Sequence, residues 1–188
     1  LSAAFRAQVQ AHGEGVLLFE GCEAENQGFI LEVVNDFGKI YAELLPVRLN
    51  GVESMFRHVN IRSAAGGSGG HPTRDDAQNF PDCVGCTHNL IFLHGYNVSP
   101  VTARGSQAEI FKRLYWSGST ARYYGVTWQG NETQVNLPYI DAFTTNYAIN
   151  IENALDSGLA VRDFVQAINE SGTRTTTAAA HSMGSVIA

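Results

Sequence analysis

Apolar residues recur along this chain with different spacings, and each spacing predicts a different element. Residues 1 to 13 are weakly patterned, with Phe5 and Val9 their only large apolar side chains. Gly15 to Glu20 reads as a strand. Between Gly28 and Leu49 two β-rich runs flank Asn35-Asp36-Phe37-Gly38, whose Asx and glycine residues suit a hairpin turn. From Leu90 to Leu93 four apolar residues are consecutive, the pattern of a strand buried on both faces in a parallel sheet. Ala103, Ile110, Phe111 and Leu114 then fall on one side of a helix. Ser99 can cap it, Pro100 occupies its first turn and Gly118 ends it. Ala121 to Gly130 predicts another short strand running into a loop, and residues 131 to 145 a loop or irregular helix. Ile149, Leu155, Leu159, Phe164, Val165 and Ile168 mark an amphipathic helix that Gly172 can terminate. Thr175 to Ala180 is the last strand. The order β-α-β-α-β from Leu90 onward predicts an α/β fold with a mostly parallel sheet.

Between these blocks the composition shifts. Residues 63–85 are rich in glycine and polar residues, with Gly66 to Gly70 nearly devoid of side chains, and predict a linker or long surface loop. The chain therefore divides into a β-rich segment over 1–62, that linker, and an α/β domain over 86–188. His58 and His71 are read as solvent or loop residues. Cys83 and Cys86 stand in C-x-x-C spacing, compatible with a loop disulfide, free thiols or half a metal site. No second pair completes four zinc ligands, and Cys22 stands alone.

Charge narrows the partners. A formal charge of −6 without a long basic run gives nucleic acid or an anionic membrane surface no purchase. No run of eighteen apolar residues crosses a bilayer. With 44% hydrophobic and 16% charged residues the chain has the composition of a core-forming globular protein.

The candidate chemistry sits at the end of the last strand. Ala180-His181-Ser182-Met183-Gly184 is a G-x-S-x-G pattern with alanine in first place. Such a serine stands on a sharp strand-to-helix turn, and small residues two before and two after it allow the backbones to approach. About ninety residues upstream, Leu90 to Leu93 run into His94-Gly95-Tyr96-Asn97.

With these two motifs in this order, residues 89–188 resemble an α/β-hydrolase, within that superfamily a lipase/esterase-like bacterial serine hydrolase. The resemblance implies a partial α/β-hydrolase fold and an acyl-enzyme formed at Ser182 on a small-molecule or lipid ester, with no cofactor and no metal. It implies an oxyanion hole from the backbone N–H groups of Tyr96 and Met183, a loop shaped by His94, Gly95 and Asn97, and elbow positions at Ala180 and Gly184. Asn97 is read either as a loop- or substrate-orienting group or as a plain turn residue. His181 adjoins the nucleophile, yet neighbours on a strand point to opposite faces, so a packed structural role is expected. Trp128, after a strand's carboxyl end, is the candidate substrate-lining aromatic. Tyr123 and Tyr124 are read chiefly as core.

In this family an Asp or Glu and then a histidine follow the serine. Only six residues follow Ser182, and the chain opens on Leu1, so the sequence is expected to be the front part of a longer hydrolase. A sheet ending at the nucleophile strand would expose an apolar edge, and self-association is expected from it. The hairpin region resembles the closing strands of an immunoglobulin-like module, as found before hydrolase domains in extracytoplasmic bacterial proteins, which tilts the location toward the cell exterior. Its alternative is the first strands of the hydrolase sheet itself. Two functional alternatives stay open: a binding or adhesion module on a retained hydrolase scaffold, and an acyltransferase using the same serine.

Overall fold

The computed structural model describes residues 3–13, 27–46, 51–67, 72–74, 87–132, 146–169 and 172–188, in two compact units, Leu1–Gly51 and Val52–Ala188. The strand expected over Gly15 to Glu20, the three cysteines, His71 and most of the 131–145 loop lie outside the described residues.

In the smaller unit, helix α1 (Ala3–His12) precedes strands β1 (Phe29–Asn35) and β2 (Gly38–Leu45). The strands pair antiparallel from Phe29↔Leu45 to Asn35↔Gly38. Asn35 Oδ1 accepts the Phe37 N–H at 2.9 Å, an Asx turn, and Gly38 takes φ +118°, open to glycine alone at low cost. Ile30, Val34 and Leu44 stay largely exposed on the ribbon.

The larger unit is built on a four-stranded parallel sheet: β3 (Arg57–Asn60), β4 (His88–Leu93), β5 (Arg122–Thr127) and β6 (Thr175–Ala180), in the order β3-β5-β4-β6. Helix α2 (Pro100–Trp116) connects β4 to β5, and α3 (Tyr147–Ile168) connects β5 to β6. Ser99 accepts the Thr102 N–H at 3.1 Å, with Pro100 in the first turn, as the sequence predicts. Gly118 and Gly172, both at positive φ, follow the two helices.

Alternation along the strands sends side chains to two separate cores. Phe56, Phe92 and Tyr123 pack with Ala108 and Phe111 of α2 on one face. Val59, Ile91, Leu93, Tyr124, Val126 and Trp128 pack with Ala154 and Val161 of α3 on the other. Met183 and Ile187, beyond β6, join the α3 side. The chain thus leaves β4 toward one face and leaves its neighbour β6 toward the other. Adjacent parallel strands whose exits diverge leave a crevice at their carboxyl ends, where open α/β sheets bind ligands.

Two expectations change here. The division falls after Gly51 rather than at residue 62, because β3 pairs in parallel with β5 from Arg57↔Tyr124 to Asn60↔Thr127. Residues 52–62 therefore belong to the α/β unit. His58 is no loop residue. It is buried within β3, donates from Nε2 to the Glu53 carbonyl at 3.0 Å, and bridges to Arg74 within the expected linker. No described helix is long and apolar enough to cross a membrane.

Candidate active site

β6 ends at Ala180, and the chain turns through His181 into a 3₁₀ segment, Ser182–Val186. Ser182 makes that turn with φ +53°, which for a residue carrying a Cβ costs about 1–2 kcal/mol. Such strain persists only where the surroundings impose it. Here a Cβ on Gly184 would stand 2.6 Å from the His94 carbonyl oxygen and 2.7 Å from that of Leu93. Only glycine lets the turn press this closely on the end of β4. Between the same strands, the His181 N–H donates to the Leu93 carbonyl at 2.9 Å. Ser185 Oγ donates to the Ser182 carbonyl at 2.6 Å and closes the turn.

The loop after β4 meets the turn from the other side. A Cβ on Gly95 would lie 2.8 Å from His181 Nδ1 and 3.2 Å from Ser182 Cβ. The structure thus brings together the two motifs that the sequence separates by about ninety residues, glycine against serine. Asn97, at φ +55°, donates its N–H to the Gly130 carbonyl at 2.7 Å and ties the loop to the exit of β5. Tyr96 packs edge-on against Tyr147 of α3, with ring centroids 5.2 Å apart.

His94 is buried beneath this loop. Its Nε2 accepts the Trp128 N–H at 3.2 Å and lies 3.3 Å from Thr127 Oγ1. An Nε2 that accepts leaves the ring hydrogen on Nδ1, which donates to the Gly95 carbonyl at 2.9 Å. Burial pulls the imidazole down to about 4. The Gly95 bond opposes that shift and the positive charge of Arg62 adds to it. His94 is therefore neutral at physiological pH.

Holding the Gly95 carbonyl has a direct geometric effect. The C=O and the following N–H of a trans peptide point in opposite directions, and no cis bond occurs among the described residues. With the Gly95 oxygen drawn down to buried His94, the Tyr96 N–H is aimed away from the core. Met183 supplies the second expected amide, in the first turn of the 3₁₀ segment, where N–H groups lack an acceptor within the helix.

Three residues sit otherwise than expected. Trp128 does not line a site: it is fully buried, stacked on His94 with ring centroids 5.4 Å apart, and donates its indole N–H to the His94 carbonyl at 2.8 Å. Its side chain fills the α3-side core with Tyr124 and Val126, because the alternation of β5 carries over to the first residue beyond the strand. His181 is exposed rather than packed, with its ring turned toward Gly95. The positive φ at Ser182 ends the strand geometry on which the opposite-face expectation relied. Ala180 is exposed at the end of β6, so the crowding falls on Gly184 and Gly95 instead.

Arg62 was not among the residues singled out from the sequence. Buried at the carboxyl end of β3, it donates from Nη1 to the Trp128 carbonyl at 2.8 Å and from Nη2 to Asn131 Oδ1 at 2.6 Å. Among the described residues no hydrogen bond joins an imidazole to Ser182 Oγ, and no cluster of three or more His, Cys, Asp or Glu side chains is placed to hold a metal. The fold and this crevice define a mixed α/β protein with a parallel sheet and a strained serine at its switch point. No protein-family model, curated protein or solved structure matches the chain.

Proposed function

We propose that this chain carries the nucleophile and oxyanion-hole part of a serine hydrolase of the α/β-hydrolase type, acting on carboxylic esters. The observation that carries the reading is Ser182 at φ +53° just past the carboxyl end of β6, beside that of β4, with Gly184 and Gly95 closing the backbones around it. A structural serine has no need of a left-handed backbone, whereas a nucleophile gains from one: its Oγ is lifted clear of the sheet.

In this mechanism Ser182 Oγ attacks the ester carbonyl, its proton passing to a general base, and the carbonyl π electrons move onto oxygen. The Tyr96 and Met183 N–H groups receive that oxyanion, and removing one such donor costs about 10²–10³ in rate. Collapse of the tetrahedral intermediate expels the alcohol and leaves an acyl-serine. Water then attacks the acyl carbon and regenerates Ser182. A serine hydroxyl is weak without a base. The family order assigns the acid and the histidine to positions after the serine, so activity in this reading requires a chain that carries them.

The test is labelling with a fluorophosphonate probe, on the 188-residue chain and on the full-length gene product, each against Ser182→Ala. Labelling of the full-length protein that vanishes in the alanine variant supports the reading. A folded full-length protein that takes no label refutes it and puts the binding-module alternative first.

A further inference from the structure

We propose that Arg62 is a positioning residue for the oxyanion loop, acting through Trp128 and His94 on the Gly95–Tyr96 peptide. This rests on the serine-hydrolase reading of Ser182.

One buried charge in this unit is out of place. Arg62 is 3% exposed, its Nε has no hydrogen-bond partner, and both of its side-chain bonds go to neutral acceptors, a carbonyl and an amide. A buried guanidinium with no carboxylate against it costs stability, and apolar side chains of similar volume commonly replace buried charges without loss. Packing therefore gives no reason for an arginine here.

Its contacts do. Nη1 takes the Trp128 carbonyl, and Trp128 is bonded to His94 twice more, from its peptide N–H to Nε2 and from its indole N–H to the His94 carbonyl. Arg62 thus fixes the plane of the peptide after Trp128. The Trp128 ring, stacked on the imidazole, in turn fixes where His94 lies, and the Trp128 peptide N–H fixes which of its nitrogens is bare. The hydrogen left on Nδ1 holds the Gly95 carbonyl, and the Tyr96 N–H points the opposite way. The positive charge of Arg62 also disfavours a second proton on the imidazole. That proton would set an Nε2–H against the Trp128 N–H and break the chain of bonds. Of the groups around this loop, Arg62 is the cation acting on His94, while His181 and Tyr96 are the titratable neighbours along the Gly95 backbone.

A mere buttress would hold the fold and leave the loop's chemistry alone. The two roles separate in the full-length gene product carrying Arg62→Met or Arg62→Lys. Three quantities are read for each: the fluorophosphonate labelling rate of Ser182, kcat and KM for p-nitrophenyl acetate, and the ¹⁵N imidazole spectrum of His94. Arg62→Met is expected to keep a cooperative melt while labelling and kcat fall about 10- to 100-fold, less than outright loss of a donor. KM should stay within about twofold, since the interaction is made in the transition state. His94 should lose its single Nδ1–H tautomer. Arg62→Lys restores the charge and one bond to the Trp128 carbonyl, and should recover the tautomer and most of the rate.

Wild-type labelling and an unchanged tautomer in Arg62→Met overturn the proposal. If Arg62→Met does not fold, Arg62→Lys decides: a labelling rate no closer to wild type than that of His94→Gln, with the single Nδ1–H tautomer of His94 lost, overturns it equally. A wild-type protein that neither labels nor hydrolyses ester, but whose His94 tautomer collapses in Arg62→Met, refutes the hydrolase reading and leaves the relay standing.

Discussion

Gly184→Ala adds one methyl group where, among the described glycines, it would press hardest on backbone. Its carbon would stand 2.6 Å from the His94 carbonyl oxygen and 2.7 Å from that of Leu93, where ordinary contact begins near 3.4 Å. Both obstacles are backbone, and neither swings aside as a side-chain tip would. The Leu93 carbonyl is held by the His181 N–H at 2.9 Å, and the His94 carbonyl by the Trp128 indole at 2.8 Å. The clash is relieved only by moving the Ser182–Val186 segment away from β4. Overpacking of this kind costs about 1–3 kcal/mol. For a unit of this size that lowers the melting midpoint by about 3–12 °C. The same movement carries Met183 away from the loop of Tyr96, so probe labelling should fall with the midpoint. Gly105→Ala is the control: exposed in α2, with nothing within 4 Å of the new carbon, it should gain about 0.5–1 kcal/mol. Thermal melts and labelling of the two variants beside wild type decide the matter. A Gly184→Ala protein with unchanged midpoint and labelling would refute the close approach on which the site rests.

Four further outcomes follow from the same coordinates. Ser182→Gly should abolish labelling yet raise stability by about 1 kcal/mol in urea titration, because φ +53° burdens a serine and not a glycine; a loss of stability would mean the turn is unstrained. His94 falls from 6.5 unfolded to about 4 folded, so only the unfolded chain takes up its proton between those values. Its contribution is full above pH 6.5 and lost as pH falls to 4, about 3 kcal/mol in all, and His94→Gln should flatten that part of the urea midpoint–pH curve. Tyr123 Oη is buried without a hydrogen-bond partner, and burial pushes its phenol up, so Tyr123→Phe should raise stability in urea titration by about 1 kcal/mol or more. Among the described residues β6 is paired on one side only, and Thr175–Ala180 carries neither charge nor proline. The 188-residue chain should therefore sediment as oligomers that Thr177→Lys disperses; a wild-type monomer would contradict this.

What was legible in the sequence was local. The Ser99 cap, the buried run before His94 and the small residues around Ser182 each announce themselves within a few positions, and the helices and strands fall where those signals put them. Strand order was not legible, because it depends on which edges meet. β3 reads as readily as part of the preceding hairpin region until its pairing with β5 is seen. Trp128 looked like a site aromatic because it follows a strand, but its burial depends on α3 and His94. Arg62 was hidden most completely. Between Ile61 and Ser63 it resembles any surface arginine, and its partners lie 66 and 69 residues onward.

The placement of β6 beside β4 sets a schedule for assembly. As the chain leaves the ribosome, β3, β4 and β5 can pair and both helices can form while one edge of β4 still waits. Only when β6 arrives does Gly184 meet Leu93 and Gly95 meet Ser182. A nascent chain halted before Thr175 would hold three of the four described strands of this sheet and no contact between the two motifs. Contacts this far apart in sequence are slow to form, so the turn at Ser182 is set against a sheet that is already paired.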